Sequence, residues 1–308
     1  MIDTRFNPRS MRLSSARRGF NATLWPESPI STADANCRMA LNALIPKLMA
    51  STIAISRRIV RADISDSATA LILAGIGGRV SDVVSIARYV AAPDGVRLSV
   101  TVSGTGPSLV LVHGSLQSGS SWAGVVSELE SDFTCFAVDR RGHGASSDAE
   151  EHSLQREADD VIAVAAEVGP DAVIVAHSYG AVVVLEAVRR GADVAAVVLY
   201  EPPLPISERV ASANRDASAA LRGRSTVVTR EWMAVNRSVE SIGEYTRAAT
   251  PMYLLEGANS PPQFRDPVGY LARRVPGVRV KELVGQDHFA HREAPAVFAQ
   301  ALRELLLS

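Results

Sequence analysis

From about Ser85 onward the chain alternates between two hydrophobic rhythms. Short runs of β-branched and aliphatic residues recur at regular distance: SLVLVHG, FTCFAVD, AVIVAHS, AAVVLYE, MYLLEG and VRVKELVG. Between them, the stretches 121–130, 152–168, 179–190, 263–275 and 293–306 place apolar residues with the period of a helix. A strand that is apolar at nearly every position has no face to give to water, so each run predicts a strand covered on both sides. Such strands, alternating with helices, make a mostly parallel sheet between two helical layers, an α/β architecture of the doubly wound type. Ahead of them, ARYVAAPDGVRLSVTVSG brackets Asp94-Gly95, a two-residue hairpin signal. The alternation lapses across about 202–250, where only helical and loop patterns occur. An insertion there sits over the strand ends as a short helical lid.

Residues 1–84 follow neither rhythm clearly and carry no motif. They read as a basic N-terminal extension, poorly ordered or helical, ahead of a domain at 85–308. Residues 1–61 hold ten Arg or Lys against three acidic residues, a sum of +7 that the rest of the chain offsets with −8. The net charge of −1 therefore gives no global pull toward nucleic acid. No apolar run reaches the roughly 20 residues that cross a bilayer, so no integral membrane segment is expected. Cys37 and Cys135 lie in unlike contexts, which argues against a structural pair and for a reducing, cytoplasmic setting. Neither they nor the six His form a clustered ligand set, so no metal and no cofactor is expected. Oligomeric state is not readable from the pattern.

The chemistry gathers just after the strands, where the loops of a parallel sheet form its site. AHSYG at 176–180 sets a serine on a tight strand-to-helix turn. Such a turn pushes the hydroxyl of Ser178 out of the sheet top, and it needs small residues two before and two after, here Ala176 and Gly180. It also puts the backbone N–H of Tyr179 at a helix N-terminus, aimed where an oxyanion would form.

Five strings in this order and spacing resemble the α/β-hydrolase-fold superfamily, in its serine esterase/lipase and cofactor-free haloperoxidase branch: LVHGS at 111–115, DRRGHGASS at 139–147, AHSYG, LYEPP at 199–203 and GQDHFAHREAP at 285–295. The resemblance covers some 220 residues from about Arg88. Its one departure at the turn is Ala176, where the usual form has glycine. By resemblance, Ser115 supplies a second oxyanion N–H, and His113 holds its loop by a side-chain hydrogen bond. Asp139, Arg140 and His143 resemble a structural loop. His288, directly after the last strand, is the expected base, with His291 resembling a position that packs the loop.

The orienting acid departs from the pattern. Most relatives carry an Asp shortly after the strand that here reads MYLLEG, and this chain has Gly257-Ala258-Asn259-Ser260-Pro261 instead. Glu201, one strand earlier, is the expected substitute, and Asp266 is the alternative. The implied activity is hydrolysis of a small or medium carboxylic ester, a small-molecule substrate, through a Ser178–His288–Glu201 triad. Perhydrolase, lactonase or C–C hydrolase chemistry on the same residues is the alternative, as is a non-catalytic ligand-binding member. Epoxide hydrolases and dehalogenases of this fold use an Asp nucleophile where this chain has Ser178.

Overall fold

The computed structural model describes residues 85–221 and 226–307. The expected extension 1–84, with Cys37, lies outside them. Eight strands form a single sheet in the order β1-β2-β4-β3-β5-β6-β7-β8. They are β1 Ile86–Ala91, β2 Arg97–Gly104, β3 Ser108–Val112, β4 Thr134–Val138, β5 Val173–His177, β6 Ala196–Tyr200, β7 Met252–Gly257 and β8 Arg279–Leu283. The first two are the hairpin expected around Asp94-Gly95. β2 pairs antiparallel with β4, and every later pairing is parallel. All six apolar runs are strands.

The helices are α1 Ala123–Leu129, α2 Leu154–Val168, α3 Tyr179–Arg189, α4 Glu208–Leu221, α5 Thr226–Arg237, α6 Ile242–Tyr245, α7 Pro262–Ala272, α8 Ala290–Glu293 and α9 Pro295–Leu306. Two cores explain why the strands are apolar throughout. Val110, Ile174, Val197 and Leu254 enter one layer with α2, α3 and α7, while their neighbours Leu111, Val175, Val198 and Leu255 enter the other with α1 and α9. Each fully buried aliphatic side chain contributes about 1.5–3 kcal/mol. That reserve lets the strand ends carry strained backbone.

Strand order reverses at β3, whose neighbours are β4 on one side and β5 on the other. The loops leaving β3 and β5 therefore diverge, and the crevice between them is where such sheets bind ligands. The insertion after β6 supplies α4, α5 and α6, which form the short lid expected there. α5 turns Val228, Ala234 and Val235 inward, and Trp232 packs against the larger core.

Candidate active site

Three non-glycine residues among those described adopt positive φ: Leu116 at 58°, Ser178 at 52° and Glu201 at 51°. They stand just beyond β3, β5 and β6, three strands side by side in the sheet. Left-handed backbone costs such a residue on the order of 1–3 kcal/mol, and it persists only where the surroundings dictate it. At Ser178 the surroundings are visible. Its amide donates to the Tyr200 carbonyl at 2.8 Å, and α3 begins at the next residue. The helix comes so close to β3 that a Cβ on Gly180 would lie 2.4 Å from the His113 carbonyl oxygen. Alanine at 176 meets no such limit, because its methyl is simply buried in the core. Ser178 itself is 8% exposed.

His288 follows β8 in the loop leading to α8. Its Nδ1 donates to Glu201 Oε2 at 2.5 Å, and Glu201 Oε1 accepts from the Gly257 amide at 2.7 Å. With the proton on Nδ1, Nε2 carries the lone pair (the tautomer is read from these partners). The ring is clamped on both faces. Phe264 of α7 stacks on it at 3.7 Å with 11° between planes, and His177 packs at 4.5 Å on another side. His177 Nε2 also donates to the His288 carbonyl at 2.9 Å, tying the loop to the end of β5.

The two competing candidates go elsewhere. Asp266 lies on α7 and pairs with Arg209 of the lid. His291 is fully buried against Trp122 and His177, with no hydrogen bond to either ring nitrogen. Burial, with the neighbouring His288 and Arg292, holds His291 well below the ordinary imidazole range. It packs the loop and makes no hydrogen bond to Glu201. Asp287 turns back, accepting from the Phe289 amide at 3.0 Å.

Across the crevice, His113 does the bracing work expected of it. Its Nδ1 donates to the Gly114 carbonyl at 2.8 Å, and its Nε2 accepts from the Arg140 amide at 3.1 Å. Burial first, then Arg140, keeps that ring neutral. Asp139 Oδ1 receives the Gly119 amide at 2.7 Å, and Arg141 grips Asp160 through two bonds of 2.6 Å. Ser115 and Tyr179 thus follow two adjacent parallel strands, on a braced loop and a helix N-terminus.

Sequence reasoning missed Phe264 and two buried carboxylates, Glu157 of α2 and Glu231 of α5. Both carboxylates bond Arg140, Glu157 at 2.5 Å, and His143 Nε2 donates to Glu231 Oε1 at 2.9 Å. Burial alone would push the Glu231 carboxyl up, but Arg140 and His143 outweigh it and hold it well below the carboxylate range. A signal existed. Val228, Glu231 and Val235 share one helical face, so a charge interrupts an apolar stripe.

Residues 109–244 match the model of the family described as "Alpha/beta hydrolase family". Among curated relatives, "Probable oxidoreductase EphD" of Mycobacterium tuberculosis is 39% identical over 112 residues, 34% of this chain and 19% of that protein. "Bifunctional epoxide hydrolase 2" of Sus scrofa is 36% identical over 31% of this chain and 18% of its own. "Pimeloyl-[acyl-carrier protein] methyl ester esterase" of Vibrio atlanticus is 42% identical over 21% and 25%. The matched span thus covers about a fifth of the first of these relatives. The crystal structure of E-2-(acetamidomethylene)succinate hydrolase superposes with TM-score 0.61 at 22% identity, over 73% of this chain and all of that one. An esterase of Thermogutta terrifontis gives 0.61 at 19%, over 72% and 98%. Likeness at that level speaks for the fold. Among the described residues no helix is long and apolar enough to cross a membrane.

Proposed function

We propose that the chain is an α/β-hydrolase-fold serine hydrolase acting on small or medium carboxylic esters without a cofactor, a reading supported by the family match over residues 109–244 and the shared fold. One observation carries the reading: a serine in strained backbone at the head of α3, at the same end of the sheet as a buried carboxylate–imidazole pair at 2.5 Å. A serine hydroxyl is a poor nucleophile until a base takes its proton. His288 Nε2 is the lone pair available, with Glu201 fixing the tautomer and stabilising the imidazolium. Ser178 Oγ adds to the ester carbonyl and its proton passes to Nε2. The Ser115 and Tyr179 amides hold the oxyanion. The imidazolium then protonates the departing alkoxide, and water, deprotonated by the same ring, releases the acid.

The relatives' names point to both ester and epoxide chemistry. Position 178 favours the ester, since direct opening of an epoxide by a side chain calls for a carboxylate there. A cytoplasmic setting is part of the same proposal. Cys135 is unpaired and buried, and burial pushes its thiol up to about 12, consistent with an inert core residue.

Turnover of p-nitrophenyl acetate and butyrate, and labelling by a fluorophosphonate, are expected of the wild type. Both should vanish in Ser178→Ala, with kcat down by about 10³-fold or more. Equal rates in the two proteins would remove the mechanism.

A further inference from the structure

Arg140 is 3% exposed and uses every group it has. Its Nη1 meets Glu157 and its Nη2 meets Glu231 of the lid. On its other edge, Nε donates to the His113 carbonyl at 3.0 Å and Nη2 to the Gly114 carbonyl at 3.2 Å. The second of these carbonyls matters. The Gly114 C=O and the Ser115 N–H belong to one peptide unit, so a hydrogen bond to that oxygen both fixes the plane in which the N–H points and polarises the amide. Chains of hydrogen bonds strengthen their members in this way. The same oxygen also receives His113 Nδ1, so two donors grip it. The side chain of Tyr179, the residue whose amide is the other proposed donor, joins the same cluster: its hydroxyl donates to Glu157 at 2.7 Å, and its ring lies 4.9 Å from the guanidinium.

We propose that Arg140 is a positioning residue for the oxyanion hole, and that Glu231 completes its coordination only when α5 is seated, so that lid and hole close as one unit. This rests on the serine-hydrolase reading above. Without Glu231 the guanidinium keeps only Glu157, two carbonyls and a 3.4 Å contact with His143 Nε2, in a buried setting where a charge not fully partnered costs several kcal/mol. It then relaxes toward Glu157 and away from the Gly114 oxygen. A bound acyl group that lifts α5 would weaken the hole, and one that fits beneath it would leave the hole at full strength. Substrate size is thereby read through the strength of an amide donor as well as through contact.

The test compares wild type, Arg140→Lys and Glu231→Gln. Lysine keeps the charge but cannot reach two carboxylates and two carbonyls at once, and glutamine keeps the shape of the lid residue while losing its charge. Turnover of p-nitrophenyl butyrate is read beside inhibition by an alkyl trifluoromethyl ketone, which forms an oxyanion adduct, and by its methyl ketone, which binds without one. In both variants kcat is expected to fall about 10–100-fold with KM changed less than about threefold, short of the 10²–10³ seen when a donor is removed outright. Affinity for the trifluoromethyl ketone should fall by the same factor and that for the methyl ketone should stay. Near-UV circular dichroism reports folding; should Arg140→Lys fail to fold, Glu231→Gln decides alone. A folded Glu231→Gln with unchanged kcat, or one that loses both ketones equally, overturns the proposal while leaving the serine mechanism standing. A wild type with no turnover and no fluorophosphonate labelling overturns the reading, and this inference with it.

Discussion

Glu201 and Glu231 are both entirely buried glutamates at the same end of the sheet, and their partners give them opposite characters. Glu201 faces the imidazole of His288, a side chain able to accept and release a proton during a reaction. Glu231 faces the guanidinium of Arg140, which never does so in a protein. The first pair can take part in proton transfer. The second can only hold shape and field. Burial makes both expensive without a basic partner, and the identity of that partner separates a carboxylate that can serve proton transfer from one that can only hold shape and field.

The sharpest test of that contrast is Glu201→Gln. It leaves the geometry but offers His288 an amide in place of a charge. We expect kcat to fall by about 10³–10⁴-fold with KM little changed, against the milder loss in Glu231→Gln. A larger loss at 231 than at 201 would reverse the contrast. Arg140→Met probes the architectural side by stranding both Glu157 and Glu231. Urea unfolding should show about 3–5 kcal/mol of lost stability, the cost of leaving a buried charge unpaired. A loss near zero would mean the cluster is hydrated and its carboxylates are not held as described.

Phe264→Leu refines the proton-transfer side. A ring stacked on the imidazole steadies the imidazolium that forms during attack, an effect on the order of 0.5–2 kcal/mol. A fall in kcat of about twofold to thirtyfold follows, and a leucine variant at wild-type rate would reduce Phe264 to packing.

His291→Leu tests the buried histidines that neither role absorbs. His113, His177 and His291 are all held well below the ordinary imidazole range, in each case first by burial. The unfolded chain takes up protons near pH 6.5 where these folded rings do not. Stability contributed by them is therefore present above about pH 6.5 and lost as pH falls below it. His152 is lowered too, first by burial, so the fall in Tm from pH 7.5 to 5 should shrink by roughly a quarter in His291→Leu, with one of four such groups gone. An unchanged slope would exclude His291 from the acid sensitivity. Smallest of all is Asp266→Asn, expected to leave kcat within about twofold because the carboxylate pairs with Arg209 at the lid and not with His288. A drop confined to that variant would move the acid from Glu201 to Asp266.

Strands and helices were legible because their hydrophobic periods are local and the sheet is buried on both faces. Ser178 and His288 could be named as candidates for a related reason: one follows β5 directly, the other lies in the loop after β8, and strand ends of a parallel sheet face one crevice. Glu201 could be inferred only as a carboxylate at a neighbouring strand end, in competition with Asp266. The Arg140 cluster was not legible at all. Arg140 and Glu231 lie 91 residues apart, and nothing in either local pattern names the other. Trp232 was open between lining a pocket and stapling the lid; it packs on the larger core.

By itself the sequence determined the alternation of strands and helices, the sharp turn at 176–180 and the set of residues that follow each strand, because all three depend on spacing along the chain. Only the tertiary structure decided which carboxylate meets His288, that Phe264 covers its ring, and that a lid helix reaches the arginine behind the loop after β3. Those choices depend on distances between segments far apart in the chain, and they are settled by which buried charge finds a partner when the two layers close on the sheet.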